Sequence, residues 1–274
     1  PFCLLFTLFQ TASGDKERNI GLSLSTGEIF VSPNLALSVH NVTKNFGGLT
    51  AVDQITFDVM EHEVVGLIGP NGSGKTTMLN VISGMLRSSS GKIELYGRNI
   101  ARHSANRIAR QGISRTFQLV RTLPTMTVAE NIAAGGVFSY RRYWGKELNR
   151  RIRYMLSHVG LSDKAEMPVA ALTYIDQKRV ELARALMADP KVLLLDEWLA
   201  GLNPSEMKIG ISLIRGLRYE GRTIIIVEHH MDAIRSLCDR CVVMNSGVKI
   251  AEGDPHAVLN EPEVIRAYLG EENA

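Results

Sequence analysis

From Leu35 onward the chain shows two kinds of apolar pattern. Leu35–Val42 and Ile55–Met60 carry apolar residues largely on alternate positions, the period of a strand with one buried and one wet face, and they predict antiparallel strands. Val64–Ile68, Val192–Leu195, Thr223–Val227 and Cys241–Met244 are instead short, nearly unbroken apolar runs. Such runs belong to strands buried on both sides. Between them the apolar positions shift to helical spacing, in Lys75–Leu86, Gln177–Ala188, Ser205–Tyr219, Met231–Leu237 and Pro262–Tyr268. Ile93–Leu95 completes the first part, and residues from about Val128 to Ser162 read as helices rich in Arg and Tyr. Strands alternating with helices predict an α/β fold, a parallel sheet covered on both faces. The Arg- and Tyr-rich helices form an inserted lobe over residues of about 120–185. No internal repeat or low-complexity segment interrupts this plan.

Composition changes the picture little. The 274 residues are 45% hydrophobic and 22% charged, a length that fits one large domain or a core with a smaller lobe. A formal charge of +3 does not argue for nucleic acid. Arg141, Arg142, Lys146, Arg150, Arg151 and Arg153 cluster locally. A solvated helix face is the plain reading of that cluster, and contact with anionic lipid or an acidic partner is the alternative. Cys238 and Cys241 form a single C-x-x-C pair, and Cys3 stands apart. A structural zinc site takes about four ligands, so the pair reads as two buried thiols in a reducing cytoplasm.

No run approaches the ~20 apolar residues of a membrane helix. Phe2–Phe9 is apolar but short, with no basic flank before it, which speaks against a signal peptide. Thr11–Ser32 reads as polar linker, so residues 1–33 are expected to be an atypical extension. The domain then spans 34–270, with 271–274 as a tail.

Gly69-Pro70-Asn71-Gly72-Ser73-Gly74-Lys75-Thr76 matches G-x-x-x-x-G-K-[ST] in full, between a buried strand and a helix. Glycines let the backbone wrap closely around phosphate, with N–H groups pointing inward at a helix N-terminus. Lys75 can reach the outer phosphates of ATP, and the Thr76 hydroxyl can ligate Mg2+. Asn71, Ser73 and Thr77 belong to the same cradle. Chance alone produces this string in roughly one chain per hundred of this size, and the strand and helix around it lower that further.

Val192-Leu193-Leu194-Leu195-Asp196-Glu197 is a buried strand ending in two acids. An Asp so placed beside a phosphate loop supports the metal. The adjacent Glu would face and activate the attacking water. A strand ending in Asp-Glu is by itself commonly a solvated turn; the phosphate loop decides for the functional reading.

The next residues select one family. Arg115-Thr116-Phe117-Gln118 follows a strand, Ala200-Gly201-Leu202-Asn203 follows the carboxylates, and Val227-Glu228-His229-His230-Met231 ends a later strand. In that order they resemble the ABC-transporter ATPases. The resemblance implies a P-loop NTPase fold with a mixed sheet core, an antiparallel β subdomain and an inserted helical lobe. It also implies Gln118 as a coupling-loop residue that reaches the metal, Ala200–Asn203 as the D-loop and His229 as a switch histidine. Phe46 occupies the place where that family stacks an aromatic ring on adenine. Taken singly, Gln118 is a surface amide, His229 a buried histidine and Phe46 a core aromatic; their shared order carries the assignment.

Asn45–Asp53, Arg115–Gln118, Thr125–Asn131, Ala200–Pro204 and Glu263–Gly270 look like the branched-chain amino-acid importer subfamily. That likeness implies ATP and Mg2+ as cofactors and a second ATPase subunit, identical or not. It further implies two membrane permeases, an extracytoplasmic substrate-binding protein, and a peripheral position on the cytoplasmic face of the inner or plasma membrane. Three other readings remain open: a non-transport ABC ATPase acting on DNA or in translation, a nucleotide-binding subunit with weakened hydrolysis, and an importer ATPase for another small polar substrate such as urea or amides. The first usually carries fused nucleotide domains or long coiled insertions, which this sequence lacks.

One stretch departs from the family. Its signature, usually Leu-Ser-(Gly or Tyr)-Gly-Gln and acting on the partner subunit's nucleotide, is here Leu172-Thr173-Tyr174-Ile175-Asp176-Gln177. Ile175 replaces a glycine that allows close approach to phosphate. Asp176 is expected to add negative charge where a γ-phosphate sits, on the order of 4 kcal/mol at ~4 Å and an effective dielectric near 20. This chain is therefore expected to bind ATP at its own loop but to complete the partner's site poorly. Ile175→Gly with Asp176→Gln is expected to raise turnover. Trp198, where the family has Pro, and His230, where it has Asp, are expected to disturb the same catalytic edge.

Overall fold

A computed structural model describes residues 34–137 and 143–269. The expectations for residues 1–33, Arg141, Arg142 and 271–274 lie outside the described residues. Strands β1 (Leu35–Phe46) and β2 (Leu49–Met60) form a hairpin that leads into β3 (Val64–Ile68) and helix α1 (Lys75–Ile82). Strands β4 (Ser90–Leu95) and β5 (Arg98–Asn99), helix α2 (Ala105–Gln111) and β6 (Ile113–Arg115) follow. Next come α3 (Val128–Val137), α4 (Gly145–His158) and α5 (Tyr174–Met187). The chain then alternates through β7 (Val192–Asp196), α6 (Pro204–Tyr219), β8 (Thr223–Val227) and α7 (Met231–Leu237). It closes with β9 (Arg240–Asn245), β10 (Val248–Gly253), α8 (Pro255–Val258) and α9 (Pro262–Leu269).

Two sheets result. The antiparallel one is ordered β2-β1-β4-β5, and the other β10-β9-β3-β8-β7-β6. In the second, every pairing is parallel except β9 with β10. Its central strands are buried along their whole length, as unbroken apolar runs require. Alternate residues serve opposite faces. Val65, Leu67, Leu194, Ile225 and Val227 pack with the antiparallel sheet and α1 in one core. Val64, Ile68, Leu193, Leu195, Ile224 and Ile226 pack with the helices in another.

Several elements differ from expectation, among them β1 and β2, which extend to Phe46 and back to Leu49. Helix α1 stops at Ile82 rather than Leu86, where the Ser83 hydroxyl turns back to donate to the Leu79 carbonyl at 2.8 Å. Strand β10 was not foreseen; Lys249 and Glu252 break its apolar pattern and pair with each other at 2.6 Å. Helix α5 begins at Tyr174, three residues before its expected start, because Thr173 caps it by accepting the Asp176 N–H.

Lys146, Arg150 and Arg153 lie on an exposed face of α4, while Arg151 stacks over Tyr143 at 4.1 Å. Cys238 and Cys241 are free and buried; their mutual hydrogen bond, and then burial, push the Cys238 thiol well above its ordinary range. Among the described residues no helix is long and apolar enough to cross a membrane.

Candidate active site

Neighbouring parallel strands β3, β8, β7 and β6 deliver their following loops to one edge of the sheet, the place where open α/β sheets bind ligands. The loop after β3 is tight. Gly69 has φ +144°, and a Cβ there would fall 1.9 Å from the Met244 carbonyl. Gly74 has φ +101°, and a Cβ there would fall 2.5 Å from the Ala51 carbonyl. Only glycine fits either place. The Gly247 N–H holds the loop from the β9–β10 turn, donating to the Ser73 carbonyl at 3.1 Å.

Lys75 is only 5% exposed. Its Nζ donates to the carbonyls of Gly69 at 2.8 Å and Pro70 at 2.7 Å, and to Ser73 Oγ at 3.4 Å. The ammonium is thus drawn in over the loop that sequence assigns to phosphate. Asn71, Gly72 and Thr76 are exposed, and Thr77 is half-buried on the first turn of α1. Phe46, at the β1–β2 hairpin, keeps 44% of its surface exposed, with Lys44 Nζ 4.8 Å from its ring centroid. The contact of Ala51 with Gly74 brings that hairpin beside the loop.

Asp196 ends β7 and pairs through Oδ2 with Arg115 Nη2 at 2.5 Å, both side chains nearly buried. Arg115 Nη1 also donates to Asn80 Oδ1 at 2.6 Å and Ser83 Oγ at 3.2 Å, tying Asp196 to the phosphate-loop helix. Asp196 Oδ1 is buried and has no hydrogen-bond partner among the described residues. A buried carboxylate oxygen with open lone pairs fits a hard cation such as Mg2+, which takes oxygen ligands.

Glu197 is held at φ +47°, and its N–H donates to the Val227 carbonyl at 2.8 Å. That turn aims its carboxylate at two partners. Gln118 Nε2 donates to Oε2 at 2.6 Å, and His229 Nε2 meets Oε1 at 2.9 Å. Residues far apart in sequence therefore meet on one carboxylate. Asn131, fully buried on α3, fixes the segment after Gln118 by accepting the Leu123 N–H at 2.8 Å and donating to the Leu123 carbonyl at 3.0 Å.

A family model for ABC transporters matches residues 52–200, more than half of the chain. The chain belongs to the ABC transporter family. A second model, the branched-chain amino acid ATP-binding cassette transporter, matches residues 248–274 of this ABC ATPase. The high-affinity branched-chain amino acid transport ATP-binding protein LivG of Salmonella typhimurium is 40% identical over 250 residues, 86% of this chain and 98% of that protein. Its counterpart BraF of Pseudomonas aeruginosa is 39% identical with the same coverage. The structure of a nucleotide-free ATP-binding cassette from an ABC transporter aligns with a TM-score of 0.78 at 31% identity, covering 85% of this chain and 98% of that one.

The signature stretch of this ABC ATPase does not point as expected. Because the helix begins at Tyr174, Ile175 and Asp176 fall in its first turn and face inward. Ile175 is 6% exposed and belongs to the helical core. Asp176 is buried, with Lys164 Nζ at 2.5 Å and Arg179 Nη1 at 3.1 Å, so two cations offset its charge. The like-charge penalty foreseen for a facing phosphate therefore loses its basis. Exposed instead are Thr173 and Tyr174, while Gln177 Nε2 donates back to the buried Leu172 carbonyl at 3.1 Å.

Trp198 also turns inward, fully buried, its indole N–H donating to the Lys178 carbonyl at 3.3 Å. It packs on α6, where a Cβ on Gly210 would stand 3.1 Å from Trp198 Cζ3. It therefore does not disturb the catalytic edge. His230 is exposed ahead of α7.

Restoring glycine at position 175 should then damage the lobe rather than raise turnover. Ile175→Gly is expected to lower unfolding free energy by about 3–6 kcal/mol, the sum of a core deletion and a helical glycine. Denaturant titration reads this directly; a change under ~1 kcal/mol would contradict the buried placement.

Sequence reasoning missed four polar residues at this edge. Arg115 was read only as part of a motif, although a cation next to a metal-binding aspartate is a usable signal. Glu228, too, was read only as part of a motif, and Lys178 and Glu181 gave no signal, since buried charges among apolar neighbours are recognised only from packing.

Proposed function

We propose that this ABC ATPase powers import of branched-chain amino acids, the substrates named for LivG and BraF. The observation that carries the catalytic part is Glu197 held between Gln118 and His229, with only β8 between its strand and that of the phosphate loop. Backbone N–H groups of the loop and Lys75 grip the triphosphate of ATP, and Phe46 stacks on its adenine. Thr76, Gln118 and Asp196 would hold Mg2+, which supplies positive charge against the phosphates. Glu197 orients the attacking water and takes its proton, and His229 fixes the Glu197 carboxylate and contacts the γ-phosphate. Positioning and charge stabilisation carry most of the rate.

A second ATPase subunit faces this one, and the exposed Thr173 and Tyr174 at the start of α5 close over the partner's nucleotide. Closure is driven by differential affinity, because ATP makes both sets of contacts only in the closed pair. Two membrane permeases receive that motion on the cytoplasmic side, and an extracytoplasmic binding protein delivers the substrate.

Uptake of labelled leucine and labelled urea by cells with and without the gene tests the substrate. Loss of leucine uptake on deletion, restored by the wild-type chain but not by Glu197→Gln, is the expected result. Unchanged leucine uptake with lost urea uptake would overturn the substrate and leave the ATPase.

A further inference from the structure

Lys178, Glu181 and Glu228 are buried to 0%, 1% and 1% exposure, and none of them touches the phosphate loop or Asp196 in the contacts above. Glu228 lies between β8 and His229. Its Oε1 accepts the Leu199 N–H at 2.6 Å, and its carboxylate also draws the His229 N–H. Glu181, midway along α5, accepts the Arg121 N–H at 3.0 Å and draws the Phe117 N–H. These amides flank Gln118, follow Glu197 by two residues and include that of His229. Each carboxylate thus grips the backbone of loops whose side chains meet at Glu197.

Lys178 links the two. It is attracted by Glu181, then Glu228 and then Glu197, and its Nζ lies 5.0 Å from the Tyr174 ring centroid. Burial opposes all three charges, pushing Lys178 down, Glu181 up and Glu228 up to about 7. Buried charges persist where they compensate one another. Among the described residues Lys178 Nζ, Glu181 Oε2 and Glu228 Oε2 each lack a hydrogen-bond partner, so none of those residues fixes the ammonium rigidly to either carboxylate. Tyr174 at the head of the same helix rests on the D-loop, where a Cβ on Gly201 would stand 3.2 Å from its Cε1.

Taking Gln118, Glu197 and His229 as the catalytic groups, we propose that Lys178, Glu181 and Glu228 are positioning residues. They set Gln118 and His229 against Glu197, and they tie both loops to the helix that begins at the signature stretch. A shift of α5 reaches the water-activating carboxylate through them.

Steady-state ATP turnover of the full chain carrying Lys178→Met, Glu228→Gln or both tests this. Each single change is expected to lower kcat on the order of ten-fold or more, with KM for ATP within about twofold because the phosphate loop is untouched. The double variant should be no slower than the slower single, since both changes cut one network. Unchanged kcat in the folded single variants, a KM that rises as far as kcat falls, or effects that multiply would overturn the proposal. If Lys178→Met does not fold, Glu228→Gln, which keeps the shape of the carboxylate, decides alone by the same split. Glu197→Gln runs alongside. A full kcat there defeats the catalytic reading, whereas a loss there with none at Lys178 and Glu228 defeats only the network.

Discussion

Lys75→Ala should weaken ATP binding by ~100-fold or more and abolish turnover. In the structure the ammonium lies almost wholly buried against two carbonyls and a hydroxyl of its own loop. When triphosphate enters, anionic oxygens replace those neutral acceptors. Charge-assisted hydrogen bonds contribute about 1.5–3 kcal/mol each, so losing two of them costs about 3–6 kcal/mol. Every 1.4 kcal/mol or so is tenfold in affinity. The same change also leaves the Gly69 and Pro70 carbonyls without their donor, which loosens the loop and adds to the loss. Titration of a fluorescent ATP analogue into both chains measures the ratio. A loss below about threefold would mean that the loop does not bind phosphate in this way.

Glu197→Gln should lower turnover by about 10²–10⁴-fold, the usual worth of a general base, and leave ATP affinity nearly intact. The amide matches the carboxylate in shape, and one oxygen still accepts a hydrogen bond. It cannot take a proton from water. Glu197 does not touch the loop that grips the phosphates, so binding and hydrolysis should separate. The pattern to expect is a fall in kcat with little change in KM, the mark of an interaction made in the transition state alone.

Much of this was legible in the sequence because it is local. The phosphate loop is a contiguous string, and its glycines are demanded by backbone geometry at Gly69 and Gly74. The buried strands announced themselves as apolar runs, and the family resemblance picked out Gln118 and His229. What connects those two was not legible. Their meeting at Glu197 depends on strand order and on a left-handed turn at Glu197, which no spacing encodes.

The direction of a side chain in the signature stretch was misjudged for a simpler reason. As a loop, Ile175 and Asp176 would face outward. One capping hydroxyl at Thr173 starts the helix earlier and turns both inward. The charge argument about Asp176 was sound in magnitude but was applied to the wrong face. Lys178 and Glu181 stayed hidden because charged residues on a helix are read as solvated until the packing shows otherwise, and Glu228 because an acid just after a strand reads as a solvated turn.

Hydrolysis of already bound ATP is the decisive measurement. Wild-type chain and Glu197→Gln are each loaded with labelled ATP without metal, Mg2+ is added, and labelled phosphate is counted over a single turnover. Wild type should convert its nucleotide, while Glu197→Gln should keep nearly all of it as ATP over the same interval. Equal conversion by the two chains would show that the carboxylate held by Gln118 and His229 is not the group that activates water.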